Sequence, residues 1–211
     1  MKKLIIVGAG GFGREVLWLV NDINKKNLEW KVVGFLDDDD SFFGKEIAGI
    51  PVLGKIENYN NFPDAYIILA IGQPTVKCRL LEKISTKAKF ATLIHPSALI
   101  GERVEIGSGC IICAYTVLTV DINIGQHVIL NLCCTIGHDT RVQDFSSFMP
   151  SVNISGEVEV ETGVYIGTGA KIINQVSIGN NTIIGAGAVV SRSIPPNCTA
   201  VGIPAKPIKF H

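Results

Sequence analysis

The chain has 211 residues, 47% of them hydrophobic and 18% charged, and its 19 basic and 19 acidic side chains cancel to a formal net charge of zero. That length holds one domain or two small ones, and the composition is that of a well-filled globular chain. Residues 1–90 carry 13 Lys and Arg against 11 Asp and Glu, and residues 91–211 carry 6 against 8, so no basic stripe exists to neutralise phosphates, and the balance argues against nucleic-acid binding.

The first element is the apolar run of residues 2–7, which begins like a signal peptide. Gly8 to Glu15 breaks it too early for one, and no stretch approaches the 18 apolar residues of a membrane span. The expectation is a cytoplasmic protein without membrane insertion. The run ends at Gly8-Ala9-Gly10-Gly11-Phe12-Gly13, and helical spacing follows over Arg14–Asn24 (Val16, Leu17, Leu19, Val20, Ile23). Strand, glycine turn and helix satisfy the G-x-G-x-x-G pattern, whose free N–H groups at a helix start can hold a phosphate. A second strand, Lys31–Leu36, ends in Asp37-Asp38-Asp39-Asp40. Asp37 stands 24 residues beyond Gly13, near the spacing of the acidic residue that grips a ribose hydroxyl. Asp39 and Asp40 read as a solvated turn.

A loop through residues 49–54 leads to a strand over Ala65–Ile71 and to Gly72-Gln73-Pro74. A helix over Thr75–Ser85 and a strand over Phe90–Ile94 complete this part. Gly8–Gly13, Asp37 and Gly72 should meet at one edge of a parallel sheet, where ligands bind. A dinucleotide-binding oxidoreductase is the first guess, but about 90 residues make only one of the two βαβ halves that a dinucleotide needs. No set of hydride-transfer residues appears elsewhere.

From Ile94 the chain repeats every six residues. Ile94, Ile100, Ile106, Ile112, Leu118, Ile124 and so on to Val190 give seventeen apolar positions, all aliphatic but Phe148. Gly often follows the aliphatic residue, and a small or β-branched side chain comes four positions after it. A hexad period marks a parallel β-helix. Three hexads make an 18-residue coil, equivalent residues stack about 4.8 Å apart, and stability becomes a sum over neighbouring coils. Gly and Asn (Asn180, Asn181) are expected to relieve the backbone at the turns. The six cysteines do not suggest a disulfide framework; Cys110 and Cys134 fall on the small inner column, and Cys110-x-x-Cys113 lacks a second pair at metal-ligand spacing.

His138-Asp139 follows the inner Ile136 by two positions, so the imidazole should project outward beside a carboxylate, as a general base requires. One coil later stands Gly156, whose backbone N–H no side chain obstructs. His95, His127 and His211 read as structural.

These residues carry a resemblance. Gly8–Gly13, Phe35–Asp38, Ala70–Gly72, Ile94–Pro96, Ile129–Asn131, His138-Asp139, the hexads and Gly202–Lys206 together resemble the bacterial sugar acetyltransferases. That group joins N-acetyltransferases of nucleotide-linked 4-amino-4,6-dideoxy sugars with sialic acid O-acetyltransferases. The resemblance implies a small Rossmann-like N-terminal domain (1–90) that binds the sugar nucleotide, and a left-handed parallel β-helix of hexapeptide repeats (91–211) that transfers acetyl. It implies a homotrimer with sites between neighbouring prisms and acetyl-CoA as co-substrate along the later coils, with no metal. His138 would be the base, oriented by Asp139, and the Gly156 N–H would hold the thioester oxyanion. Gly10, Gly11, Phe12, Gly13, Asp37, Asp38, Gly72 and Asn131 would contact the nucleotide-linked sugar. Lys206 and Lys209 would meet the phosphates of CoA.

Many members of the group carry a second histidine near the position of Ser147, and the bulk of Phe148 in an inner slot makes that corner a candidate for distortion. An amine and a hydroxyl acceptor demand the same base, so both remain open, with the amine preferred. A non-catalytic nucleotide-binding scaffold on the same fold is the reading from a different class.

Overall fold

The computed structural model describes residues 1–84 and 87–211. The N-terminal part contains strands β1 (Lys2–Val7), β2 (Trp30–Leu36), β3 (Glu46–Ile47), β4 (Ile50–Pro51), β5 (Tyr66–Leu69) and β6 (Lys89–Phe90), with helices α1 (Gly11–Lys26) and α2 (Pro74–Lys83). β2, β1, β5 and β6 form a parallel sheet in that order. Alternation along β1 decides the layering. Leu4 and Ile6 face a core with Val16, Leu17, Leu19 and Val20 of α1, while Ile5 and Val7 face one with Leu80 and Ile84 on the α2 side. The sheet is thus covered on both faces.

Several expected boundaries move for physical reasons. The first helix begins at Gly11 rather than Arg14 and takes Gly10 as its N-cap, with no side-chain capping bond. The expected 49–54 loop overlaps a hairpin, Glu46–Pro51, whose two turn residues, Ala48 and Gly49, both have positive φ (50° and 77°), the twist that closes a two-residue turn. Asp39 is a cap and not merely a solvated turn residue, since its carboxylate accepts from the Ser41 N–H at 2.8 Å and starts a short 3₁₀ turn. The expected end of the second helix at Ser85 lies outside the described residues. The strand expected over Phe90–Ile94 is two. β6 pairs with β5, whereas Leu93–Ile94 pairs with Ile111–Ile112, because the chain changes sheets between them.

From Leu93 onward, two- and three-residue strands build three parallel sheets, the sides of a prism. The register is 18 residues as far as Val190, with Ile112 paired to Leu130, Leu130 to Phe148 and Phe148 to Ile166, and falls to 16 at the last step, where Ile183 pairs with Thr199 and Ile178 with Ile194. Phe148 is fully buried and sits in that register without a shift, so the distortion considered at its corner does not occur. Each buried inner aliphatic contributes about 1.5–3 kcal/mol. Polar members of the inner column are satisfied in a repeating way. The hydroxyls of Thr116, Thr140 and Ser146 donate to carbonyls fifteen residues on, and the Cys110 thiol does the same.

Glycine relieves the turns at Gly109, Gly163, Gly169 and Gly187, which have positive φ, but most turns do without it. Left-handed backbone falls three positions after the inner aliphatic, at Arg103, Tyr115, Asp121, His127 and onward in steps of six, and mostly on residues other than Gly. The glycine next to the aliphatic answers a different need, close approach of the following coil. A Cβ on Gly101 would stand 1.6 Å from the Thr119 carbonyl oxygen, and one on Gly107 2.6 Å from that of Gly125. Of the two asparagines, Asn181 has positive φ (55°) and meets the turn expectation.

The two parts share a core. The outward residues Leu93, Ile111 and Ile129 of one prism side are buried with α1 and β1 residues in a single cluster. At the far end, Cys198–Gly202 and Ala205–Phe210 form an antiparallel hairpin on the same sheet.

Candidate active site

His138 leaves the strand Thr135–Ile136 and precedes Arg141–Val142, so it stands at the corner between the second and third prism sides. Its Nδ1 lies 2.8 Å from Asp139 Oδ2, and the two side chains are 55% and 59% exposed, free to meet a substrate. The corner turn has Asp139 at φ 58°, a conformation that Asp tolerates well, and this turn swings the carboxylate back to the ring. A carboxylate on Nδ1 fixes Nδ1 as the protonated nitrogen and leaves Nε2 as the acceptor. Gly156 lies directly against the ring. A Cβ there would come within 2.5 Å of His138 Cε1 and Nε2. The Gly156 N–H has no acceptor among the described residues, while the next amide, that of Glu157, donates to the His138 carbonyl at 2.8 Å. The corner therefore brings together His138, Asp139 and Gly156: an oriented base and an unused donor on one face.

The other expected residues gather elsewhere. β1, β2 and β5 end in register, Val7 beside both Leu36 and Leu69, so the glycine turn, Asp37 and Gly72 share one sheet edge. Gly13 lets α1 approach β1, since a Cβ would stand 2.0 Å from the Gly8 carbonyl oxygen. Among the described residues, and leaving aside the chain neighbours and the helix's own backbone, only the end of Arg14 comes within 4 Å of a Cβ position on Gly10 or Gly11, which leaves room for a ligand. Asp37 accepts from the Ala9 N–H at 2.8 Å and from the Asp39 N–H at 2.9 Å, so it holds the turn's shape. Asp38 bonds Lys83 Nζ at 2.8 Å and the Ile56 N–H at 3.1 Å. The lysine, chiefly, holds its carboxyl below the usual range. A cleft of about 340 Å³ opens beside Asp37, Asp38 and Ile71, with Arg79 and Lys83 at its rim.

Asn131 is at a different corner from His138, buried, with its Oδ1 taking the Leu132 N–H at 2.7 Å. Lys206 is in the C-terminal hairpin and lines a cavity of about 390 Å³ with Ser191, Arg192 and Ser193. Arg192 was missed in the sequence, although simple arithmetic leads to it: 138, 156, 174 and 192 are spaced by 18, and the coil shortens by two residues only beyond Val190, where Ile194 lies opposite Ile178. Ser147 is buried and its Oγ accepts from Lys77 Nζ at 2.8 Å. Cys134, inward and buried, has its thiol pushed up to about 12 by desolvation, which leaves no thiolate at neutral pH. Among the described residues, no group of three or more His, Cys, Asp or Glu could hold a metal ion, and no helix is long and apolar enough to cross a membrane.

Coils of hexads bearing an outward histidine, joined to a small three-layer domain, define a hexapeptide-repeat acyltransferase. Family models agree on both parts: the PglD N-terminal domain matches residues 3–84 and the bacterial transferase hexapeptide repeat matches residues 157–192. GDP-perosamine N-acetyltransferase of Escherichia coli O157:H7 is 32% identical over 97% of this chain and 95% of its own. UDP-N-acetylbacillosamine N-acetyltransferase of Bacillus subtilis is 37% identical over 54% of this chain and 52% of its own. The acetyltransferase domain of PglB from Neisseria gonorrhoeae superposes with a TM-score of 0.88 at 30% identity, covering 99% of this chain and all of that one. A histidine variant of perosamine N-acetyltransferase from Caulobacter crescentus, in complex with CoA and GDP-perosamine, superposes at 0.90 with 27% identity over 99% and 98% of the two chains. The chain belongs to the hexapeptide-repeat family of sugar N-acetyltransferases.

Proposed function

We propose that the chain transfers acetyl from acetyl-CoA to the amine of a nucleotide-linked 4-amino-4,6-dideoxy sugar, for a surface glycan, and that it works as a homotrimer. The observation that carries this reading is the His138 corner, a base oriented through Nδ1 by Asp139 and lying over the bare backbone of Gly156. The amine attacks the thioester carbon in a ternary complex while Nε2 of His138 takes its proton. The carbonyl oxygen, gaining charge as the tetrahedral intermediate forms, accepts from the Gly156 N–H, a donor that needs no reorganisation. Collapse expels the CoA thiolate, which takes up a proton. No acyl-enzyme is needed, and the buried Cys134 could not form one.

The sugar nucleotide fits the glycine edge. Helix N–H groups and open space at Gly10 and Gly11 suit a diphosphate, and the cleft beside Asp37 and Asp38 suits the nucleoside. Arg192 and Lys206 at the tail cavity suit the phosphates of CoA, three coils and about 14 Å from the base. A trimer is supported by the layout of one chain: the N-terminal domain covers the first prism side, whereas His138 is at the corner of the second and third. A neighbouring subunit would bring the two together. Both substrates carry phosphates that do not cross a bilayer, which fits a cytoplasmic place of action.

The test is release of CoA thiol from acetyl-CoA with GDP-, UDP- and dTDP-linked 4-amino-4,6-dideoxy sugars and with free and CMP-linked sialic acid. Turnover with an amino sugar alone, lost in His138→Ala, is the expected result. Turnover with sialic acid alone would replace the amine by a hydroxyl, and failure to bind acetyl-CoA would overturn the enzyme reading.

A further inference from the structure

α2 presents an apolar face through Pro74, Leu80 and Ile84, and Lys77 lies on it. The side chain is 1% exposed. Its Nζ donates to the carbonyl oxygen of His127 at 2.7 Å, to Ser147 Oγ at 2.8 Å and to the carbonyl oxygen of Ser146 at 3.4 Å. An ammonium has three protons, and here each has an acceptor on the prism. The surroundings offer no carboxylate within bonding distance. They are the His127 ring, packed between Phe90 and Phe145, with Cys110, Cys78 and Asp144 further out. Desolvation pulls the amine down to about 7. A buried, unpaired cation is costly, and a methionine would fill the same space without that cost.

What Lys77 joins is informative. On its own side, α2 begins two residues after Gly72, and a Cβ on Gly72 would stand 3.7 Å from Met149 Cε. On the prism side, Ser147 lies nine residues after His138 and nine before Gly156. It belongs to the single turn of chain that connects the base to the oxyanion donor. Lys77–Ser147 is therefore a stitch between the sugar-nucleotide edge and that turn, and Met149 of the same turn stands close to Gly72.

We propose that Lys77 is a positioning residue for acetyl transfer, holding the Gly72 edge of the N-terminal domain at a fixed place on its own prism and so, in the proposed trimer, against the His138 corner that a neighbouring subunit brings to it. The inference rests on the acetyl-transfer reading given above. It assigns to a helix-borne lysine the alignment of sugar with thioester, without contact to either.

The test compares Lys77→Met and Ser147→Ala with wild type in the full chain. It measures KM for the nucleotide sugar, kcat, the acetyl-CoA Kd by calorimetry, and amide hydrogen exchange. Lys77→Met is expected to lower kcat/KM for the sugar about tenfold to a hundredfold, the scale of a misplacement near 1 Å. Its acetyl-CoA Kd stays within about twofold, since the later coils are untouched. Ser147→Ala, which removes one acceptor of three, shifts the sugar term a few-fold in the same direction. Exchange quickens at amides 72–76 and stays slow in the coils. Equal losses in sugar and acetyl-CoA binding, or no change in either, would overturn the proposal. Should Lys77→Met fail to fold, Ser147→Ala decides by the same criteria. Should wild type acetylate no nucleotide sugar, the function reading fails on its own, and unchanged exchange at 72–76 in the variants would then overturn the positioning role independently.

Discussion

The N-terminal domain and the prism use the same residue, glycine, for the same close approach, once in the one and repeatedly in the other. In the prism, Gly101 and Gly107 let one coil settle on the next, and the need recurs wherever a coil repeats. In the N-terminal domain, Gly13 and Gly8 meet once, in one helix–strand contact that nothing duplicates. A periodic body spreads its stability over coils, so a single corner can depart from the pattern and present the outward His138. An aperiodic domain has no such reserve. Its candidate ligand groups are also its fasteners, as Asp37 is to Ala9 and Asp38 to Lys83.

That contrast can be broken most severely at the corner itself. His138→Ala should lower kcat by about 10²- to 10⁴-fold, the worth of a general base, while leaving thermal unfolding unchanged, because the side chain is exposed. A matching fall in melting temperature would mean that the pair is structural. Gly156→Ala should cost about 10²-fold in kcat by pushing the ring aside, again with little loss of stability, since the end of a side chain yields more readily than backbone. Steady-state rates and a melting curve on the same sample check both.

Gly13→Ala sharpens the comparison from the other side. The new Cβ meets backbone, so the N-terminal domain should lose about 1–3 kcal/mol, read by denaturant unfolding, with the coils still protected in hydrogen exchange. If the coils open with it, the shared core of Leu93, Ile111 and Ile129 binds both parts into one cooperative unit.

The smallest effect is a pH dependence at the junction. Desolvation, first, and the neighbouring Lys77 hold His127 down to about 4 from 6.5. The unfolded chain therefore takes a proton before the folded one, and stability is lost as pH falls from 6.5 towards 4. His127→Gln, neutral throughout, should flatten that part of a melting-temperature series. Lys77 adds a slope of the same sign higher up. Its folded amine releases its proton near 7 and the unfolded one near 10.5, so stability rises with pH between them.

Periodicity made the prism legible residue by residue, because an 18-residue register leaves one place for each side chain. His138, Asp139 and Gly156 stood out as departures from it. The junction was harder to read. Its signal was present in two forms: the outward positions 93, 111 and 129 are all apolar before the column turns polar at Ser147, and a lysine breaks the apolar face of α2. Neither departs from a local pattern strongly enough to be noticed without its partner, since each is explained only by the other surface. The positive-φ positions were hidden for a related reason. Gly marks them weakly when Arg, Tyr, Asp and Cys all occupy that slot, and the coil's hydrogen bonds, not the residue type, impose the conformation.

The corner column from His138 to Arg192 has a metric meaning. Its length is counted in coils, so the distance from His138 to the tail cavity is quantised in steps of about 4.8 Å. Deleting residues 157–174 would remove one step and keep every remaining residue in register. The prism is in this sense a graduated scale, and on the proposed reading the carrier's arm would have to match three divisions.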